Sequence, residues 1–207
     1  MRTALPLFLF CAGLAVWSAP SPAADSQPLS GTWRFGNGPE FPGATGTIET
    51  LPSGARKAAY DFSGGGNYVG LYLDLNPPAP LKALTFRLNK PSEAVVTLRV
   101  TDATGQDFQK PLDAGETGWQ NLTVMLDNWS ASWGGANDGL FHQPVRTVAF
   151  LVESQGLESP KGAMLVDAPA GFAELTGAAA SSSIFDGRYT VSDFRDDSQF
   201  SVTPASA

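Results

Sequence analysis

One cysteine, one histidine and no cluster of lysine or arginine occur among the 207 residues, and each scarcity removes a class of function. The cysteine, Cys11, lies inside an apolar N-terminal run, so the rest of the chain has no disulfide framework and no thiolate metal site. With His142 as the sole histidine, a multi-histidine metal centre is excluded. A Ser-His-Asp triad would have a single base and no oriented nucleophile in view. Basic residues number 13 against 20 acidic ones, a formal charge of −7. Nucleic acid and anionic membrane surfaces both select for positive charge, so this balance argues against them and leaves neutral polymers open. Beyond the N-terminal run, nothing is apolar for the roughly 18 residues that a spanning helix requires, and no membrane span is expected.

The N-terminal run itself reads as an export signal. Met1 and Arg2 precede an apolar stretch from Ala4 to Trp17, and Ser21-Pro22-Ala23-Ala24 supplies the small residues that signal peptidase needs. Phe10 before Cys11 is too large for a lipoprotein anchor. Residues 1–24 are thus expected to be a signal peptide, and the protein to be secreted or periplasmic. Residues 25–175 are long enough for one domain held by its core alone. Residues 176–207, with Gly177-Ala178-Ala179-Ala180-Ser181-Ser182-Ser183 at their start, read as a linker and a short acidic tail.

Glycine (22) and proline (16) are plentiful and punctuate short runs that alternate apolar and polar residues. That rhythm predicts an all-β protein, a two-sheet antiparallel β-sandwich of roughly nine or ten strands. Tyr68 to Leu75 is the clearest case. Val69, Leu71, Leu73 and Leu75 share one face, while Tyr68, Gly70, Tyr72 and Asp74 share the other, so a core face is backed by one that presents two tyrosines. Asn76-Pro77-Pro78-Ala79-Pro80 is expected to end that strand, because proline donates nothing to a ladder. Ser63-Gly64-Gly65-Gly66-Asn67 lacks the ending of a phosphate loop and reads as a flexible connection.

The stretch from Gly118 to Gly139 holds three of the five tryptophans. Leu122, Val124 and Leu126 alternate as a strand, after which Trp129, Trp133, Asn137 and Asp138 follow in what reads as a loop, with His142 just beyond. Aromatic rings beside short polar side chains suit a pyranose, which offers a C–H face to stack and hydroxyls to hydrogen-bond. Trp129, Trp133, Asn137, Asp138 and His142, with Tyr72, are therefore the candidate ligand-binding residues. Glu116 with Asp127, or Asp138 with Glu153, are the carboxylate pairs to consider for a glycosidase, but spacing in sequence does not fix the separation such a pair needs. No catalytic residue is assigned. A structural calcium held by Glu40 and Asp167 is the one candidate metal site, joining the two ends of the domain, although no contiguous calcium-loop motif is present. No other cofactor is expected.

Thr101-Asp102-Ala103-Thr104-Gly105-Gln106, Gly118-Trp119, Trp133-Gly134-Gly135-Ala136-Asn137-Asp138-Gly139, Gln143-Pro144-Val145-Arg146-Thr147-Val148 and Leu165-Val166-Asp167 occur in that order. Together they resemble the galactose-binding-like jelly-roll modules of bacterial secreted glycoside hydrolases, over roughly residues 29–167. The resemblance implies a jelly roll with Trp119 in the core and the Trp129 to His142 loop at a sheet rim. The pattern departs at Asp167, which is followed by Ala168-Pro169 rather than a second acid, and this weakens the calcium site. On these grounds the leading expectation is a non-catalytic exported module that binds a polysaccharide or oligosaccharide. A jelly roll that serves an exported protein partner is the alternative, and a small glycan-active enzyme comes third.

Overall fold

A computed structural model describes residues 26–173 apart from 113, 114 and 116. The expected signal peptide, linker and tail, and Glu116 of one carboxylate pair, lie outside the described residues. Among the described residues there are twelve strands: β1 (Gln27–Pro28), β2 (Gly31–Gly36), β3 (Thr45–Thr50), β4 (Arg56–Asp61), β5 (Tyr68–Ala79), β6 (Ala83–Asn89), β7 (Val96–Thr101), β8 (Gln106–Leu112), β9 (Gln120–Met125), β10 (Ala131–Gly134), β11 (Val145–Glu153) and β12 (Lys161–Phe172). They form two antiparallel sheets. The first has the order β3-β4-β12-β6-β9 with β1 beside β12, and the second β10-β8-β7-β11-β5-β2.

The alternation seen in the sequence is what builds the core between them. Leu71, Leu73, Leu98, Val100, Val148 and Phe150 of the second sheet are buried, as are Tyr60, Leu84, Phe86, Leu88, Leu122 and Met164 of the first. Phe86 and Phe150 meet edge to face across the sandwich at 4.8 Å. Each such side chain contributes about 2 kcal/mol relative to exposure, so the core holds the domain without a disulfide.

The structure departs from the sequence reading at several points. β5 runs on to Ala79 through Pro77 and Pro78. It does so because the missing proline donors coincide with a break in its register against β11, between Val145 and Thr147. Trp133 lies on an edge strand, β10, and not in a loop. That four-residue strand and the two-residue β1 are too short for a periodic signal. Trp119 is not a core residue: it is 39% exposed. Leu122 and Val124 point inward, and Trp119 has the opposite parity, with Asn121 and Thr123.

The glycine cluster is tightly packed. A Cβ on Gly43 (φ 125°) would lie 2.2 Å from the Gly64 carbonyl oxygen, and one on Gly66 2.6 Å from Ala44 Cβ. Glycine is needed at this crossing because two backbones touch. Gly43→Ala is expected to cost about 1–3 kcal/mol in a urea titration, since both the backbone conformation and the contact resist a side chain.

Candidate functional site

The outer face of the second sheet collects polar and aromatic groups in two rows that cross all six strands. Pairing aligns Arg34, Tyr72, Ala149, Arg99, Gln109 and Ala131 in one row. The neighbouring row is Thr32, Asp74, Thr147, Thr101, Asp107 and Trp133. Ala149 of the first row is buried with Leu151 and Tyr68, which lie on the side of it away from the second row, giving a small apolar floor against which Tyr72 packs.

Each ring is held in place by a guanidinium. Arg34 lies over Tyr72 at 4.2 Å and donates to Asp74 at 2.8 Å, while the Thr147 hydroxyl donates to the same carboxylate at 2.9 Å. Arg99 is 4.9 Å from the Tyr68 ring and 4.9 Å from the Trp133 ring. It also donates to Tyr68 Oη at 3.2 Å and to Gln109 Oε1 at 3.2 Å. A planar cation between two rings gains from both quadrupoles and loses little entropy when it is so fixed. Glycine leaves room for the Tyr72 ring in this position: a Cβ on Gly36 would be 2.5 Å from it, and one on Gly70 3.2 Å.

One end of the face deepens into a groove of about 380 Å³ whose lining includes Phe41, Tyr68, Arg99, Gln109, Leu151 and Glu153. The loop between β2 and β3 forms its wall. Phe41 meets Tyr68 edge-on at 6.3 Å, and the Tyr68 hydroxyl donates to Glu40. Burial first, and then the Glu40 carboxylate, push the Tyr68 phenol up to about 12, with Arg99 working the other way. The hydrogen bond from Tyr68 is the main reason that the Glu40 carboxyl is held below its usual range. The phenol therefore remains a neutral donor at any ordinary pH.

The sequence-predicted residues separate into three places. Tyr72 and Trp133 share the outer face just described. Trp129 is half-buried at the end of the sandwich, 5.6 Å from Phe108 and 5.4 Å from Phe141, and Lys110 Nζ lies 5.2 Å from its ring. Lys110 also donates to the carbonyls of Met125 and Asp127, so this cluster ties β8 to the end of β9.

His142, Asp138 and Asn137 belong to a knot around Asp102. The fully buried Asp102 carboxylate accepts from Thr104 N (2.8 Å), Thr104 Oγ1 (2.7 Å), Gln106 N (3.0 Å) and His142 N (3.1 Å). His142 Nδ1 lies 3.2 Å from Asp102 and Nε2 3.4 Å from Asp138. Gln106 Oε1 accepts from Asp138 N and Thr104 Oγ1 from Ala136 N, while Asn137 takes a left-handed turn (φ 51°). The knot fixes the segment that follows Trp133.

Neither Glu40 with Asp167 nor Asp138 with Glu153 is brought together. Glu40 touches Tyr68 of the second sheet, whereas Asp167 is 3.1 Å from Arg87 on the outer face of the first. Asp138 sits in the knot, and Glu153 lies at the far end of β11, accepting from Thr97 Oγ1 at 2.5 Å. No group of three or more metal-ligating side chains occurs among the described residues. Sequence reasoning missed Arg34, Tyr68, Asp74, Arg99 and Gln109 as site residues. The outward parity of the β5 alternation was the available signal for two of them; which strands lie beside β5 was not readable.

The two antiparallel sheets form a jelly-roll β-sandwich. Among solved structures, the chain is similar to the family 11 carbohydrate-binding module of the cellulosomal cellulase Lic26A-Cel5E of Clostridium thermocellum. That match has 11% identity and a TM-score of 0.54, covering 75% of this chain and 99% of that one. A family 11 module from Clostridium thermocellum in complex with a β-1,3-1,4-mixed-linked tetrasaccharide matches at 12% identity and a TM-score of 0.52, covering 75% and 100%. PfGH50B matches at 12% identity and 0.51 over 74% of this chain and 24% of its own length. At these identities the likeness shows the fold. Neither a family model nor a curated protein matched the sequence.

Proposed function

We propose that this protein is a non-catalytic, exported polysaccharide-binding module whose sugar-binding surface is the outer face of the second sheet. Tyr72 and Trp133 provide apolar faces and edges for pyranose rings, with the buried Tyr68 packed behind them. Arg34, Asp74, Arg99 and Gln109 provide donors and acceptors for hydroxyls. The observation that carries this reading is the pair of residue rows across six strands, an aromatic and hydrogen-bonding track that the core does not use. Arg34 and Asp74 neutralise each other, which suits a neutral, hydroxyl-rich ligand. The knot of Asp102, Asp138 and His142 acts by holding Trp133 in position.

Each stacked ring contributes on the order of 1 kcal/mol beyond the area buried, so a shallow track binds weakly and gains from repeated contacts along a polymer. Affinity electrophoresis through gels containing mixed-linked β-glucan, glucomannan, β-1,4-galactan or agarose tests the reading. Retardation by one of them is expected, and free migration through all four would refute it. Gly36→Ala supplies a finer check. The new methyl must push the Tyr72 ring aside, which a terminal ring allows at little cost in stability. Retardation is expected to weaken several-fold while the thermal midpoint moves by less than about 3 °C.

A further inference from the structure

We propose that the outer face of the first sheet is a second glycan-contacting surface, so that one molecule can bridge two polysaccharide chains. The inference rests on the sugar-binding reading of the second sheet. Trp119 on this face is a large apolar side chain left 39% exposed, outside the core. Arg87 lies over its ring at 4.7 Å and pairs with Asp167 at 3.1 Å. The same carboxylate, guanidinium and aromatic ring recur on the opposite face as Asp74, Arg34 and Tyr72, at 2.8 Å and 4.2 Å.

The surroundings match as well. Asn121 stands opposite Arg87 across the β6–β9 pair, and Asp167 opposite Arg87 across β6–β12. The adjacent row carries Asn89, Leu165, Lys57 and Glu49 in register. Lys57 and Glu49 are 3.5 Å apart, so each charge in the patch has an opposite neighbour. A polyanion or polycation would have to break these pairs, whereas a neutral chain of hydroxyls hydrogen-bonds to them as they stand and stacks on Trp119. The occupant that fits is thus a neutral polysaccharide. Because the two faces point away from each other across the sandwich, one strand of polymer cannot fill both.

The test uses the polysaccharide that retards the parent most. Parent protein, Trp119→Ala, Trp119→Phe and Tyr72→Ala are compared by titration calorimetry with its oligosaccharide and by turbidity with the polymer, with thermal melts to establish folding. The parent is expected to take two oligosaccharides and to cross-link the polymer. Trp119→Ala should take one and lose cross-linking at least tenfold, Trp119→Phe should recover part of it, and Tyr72→Ala should also take one. If Trp119→Ala matches the parent in stoichiometry and turbidity while Tyr72→Ala loses binding, the second surface is overturned and the first stands. If no polysaccharide retards the parent, both fall. If the parent is a dimer that Trp119→Ala makes monomeric, the patch is a protein contact and the proposal is overturned.

Discussion

Asp102→Ala is expected to lower stability by about 3–5 kcal/mol, the cost of leaving several buried donors without an acceptor. In a domain of this size that corresponds to a fall in melting temperature on the order of 10 °C. The carboxylate accepts from three backbone N–H groups and the Thr104 hydroxyl, and alanine offers none of them a partner. Burial alone would push the carboxyl up, but the hydrogen bonds from Thr104, His142 and Gln106 outweigh it and hold it below its usual value. A folded value lower than the unfolded one means that this contribution is complete above the unfolded value of about 4. It is lost as pH falls through the folded value. The parent should therefore lose stability in that acid range, and Asp102→Ala should lack that part of the pH dependence. Asp102→Asn keeps the shape and one acceptor oxygen, and should fall between the two. Urea titrations at pH 7 and pH 3 measure both effects. A loss below about 1 kcal/mol in Asp102→Ala would show that the knot is not what holds this end of the sandwich.

In the sequence Asp102 stands out only within Thr101-Asp102-Ala103-Thr104-Gly105-Gln106, one of the runs that carry the resemblance. Its distant partner His142, forty residues later, depends on how β7 and β11 pair. This is the general boundary between what the residues reveal locally and what the fold adds. The inward set of β5 follows from a period of two, which is local, and its residues are buried as expected, as are the alternate residues Leu84, Phe86 and Leu88 of β6, Val96, Leu98 and Val100 of β7, and Val148, Phe150 and Val152 of β11. The two-sheet sandwich followed from those sets together with the glycine and proline punctuation. The rows on the outer face did not, because Arg34 lies 38 residues before Tyr72 in the chain and becomes its neighbour only through the β2–β5 register. That Tyr72 faces outward was legible because its own strand shows its parity; the setting of Arg99 was not, since what distinguishes it is two rings contributed by other strands. Trp119 was misplaced for a related reason. The resemblance put it in the core, whereas the alternation of Leu122 and Val124 already gave it the outward parity. Of the tryptophans, Trp129 and Trp133 looked equivalent in sequence, four residues apart, yet only the strand geometry of β10 separates them.

That separation predicts opposite phenotypes for Trp129→Ala and Trp133→Ala. Trp129 packs against Phe108, which is 1% exposed, and against Phe141. Lys110 lies over its ring and ties two carbonyls near the end of β9. Removing the indole opens a cavity and deprives the Lys110 ammonium of its aromatic face, and the expected cost is about 3 kcal/mol. Trp133, on an exposed edge strand, touches Arg99 across the outer face, so its truncation is expected to cost less than about 1 kcal/mol. Binding should divide the other way. Trp133→Ala removes one wall of the aromatic track and frees the Arg99 guanidinium from one of its two rings, and retardation in the polysaccharide gel should fall at least tenfold. Trp129→Ala, measured well below its lowered melting temperature, should retain most of the parent's retardation. Melts and affinity gels run on the same preparations decide it. Equal destabilisation by both substitutions would make Trp133 a packing residue, and loss of binding in Trp129→Ala with an unchanged melt would move the sugar site to the end of the sandwich.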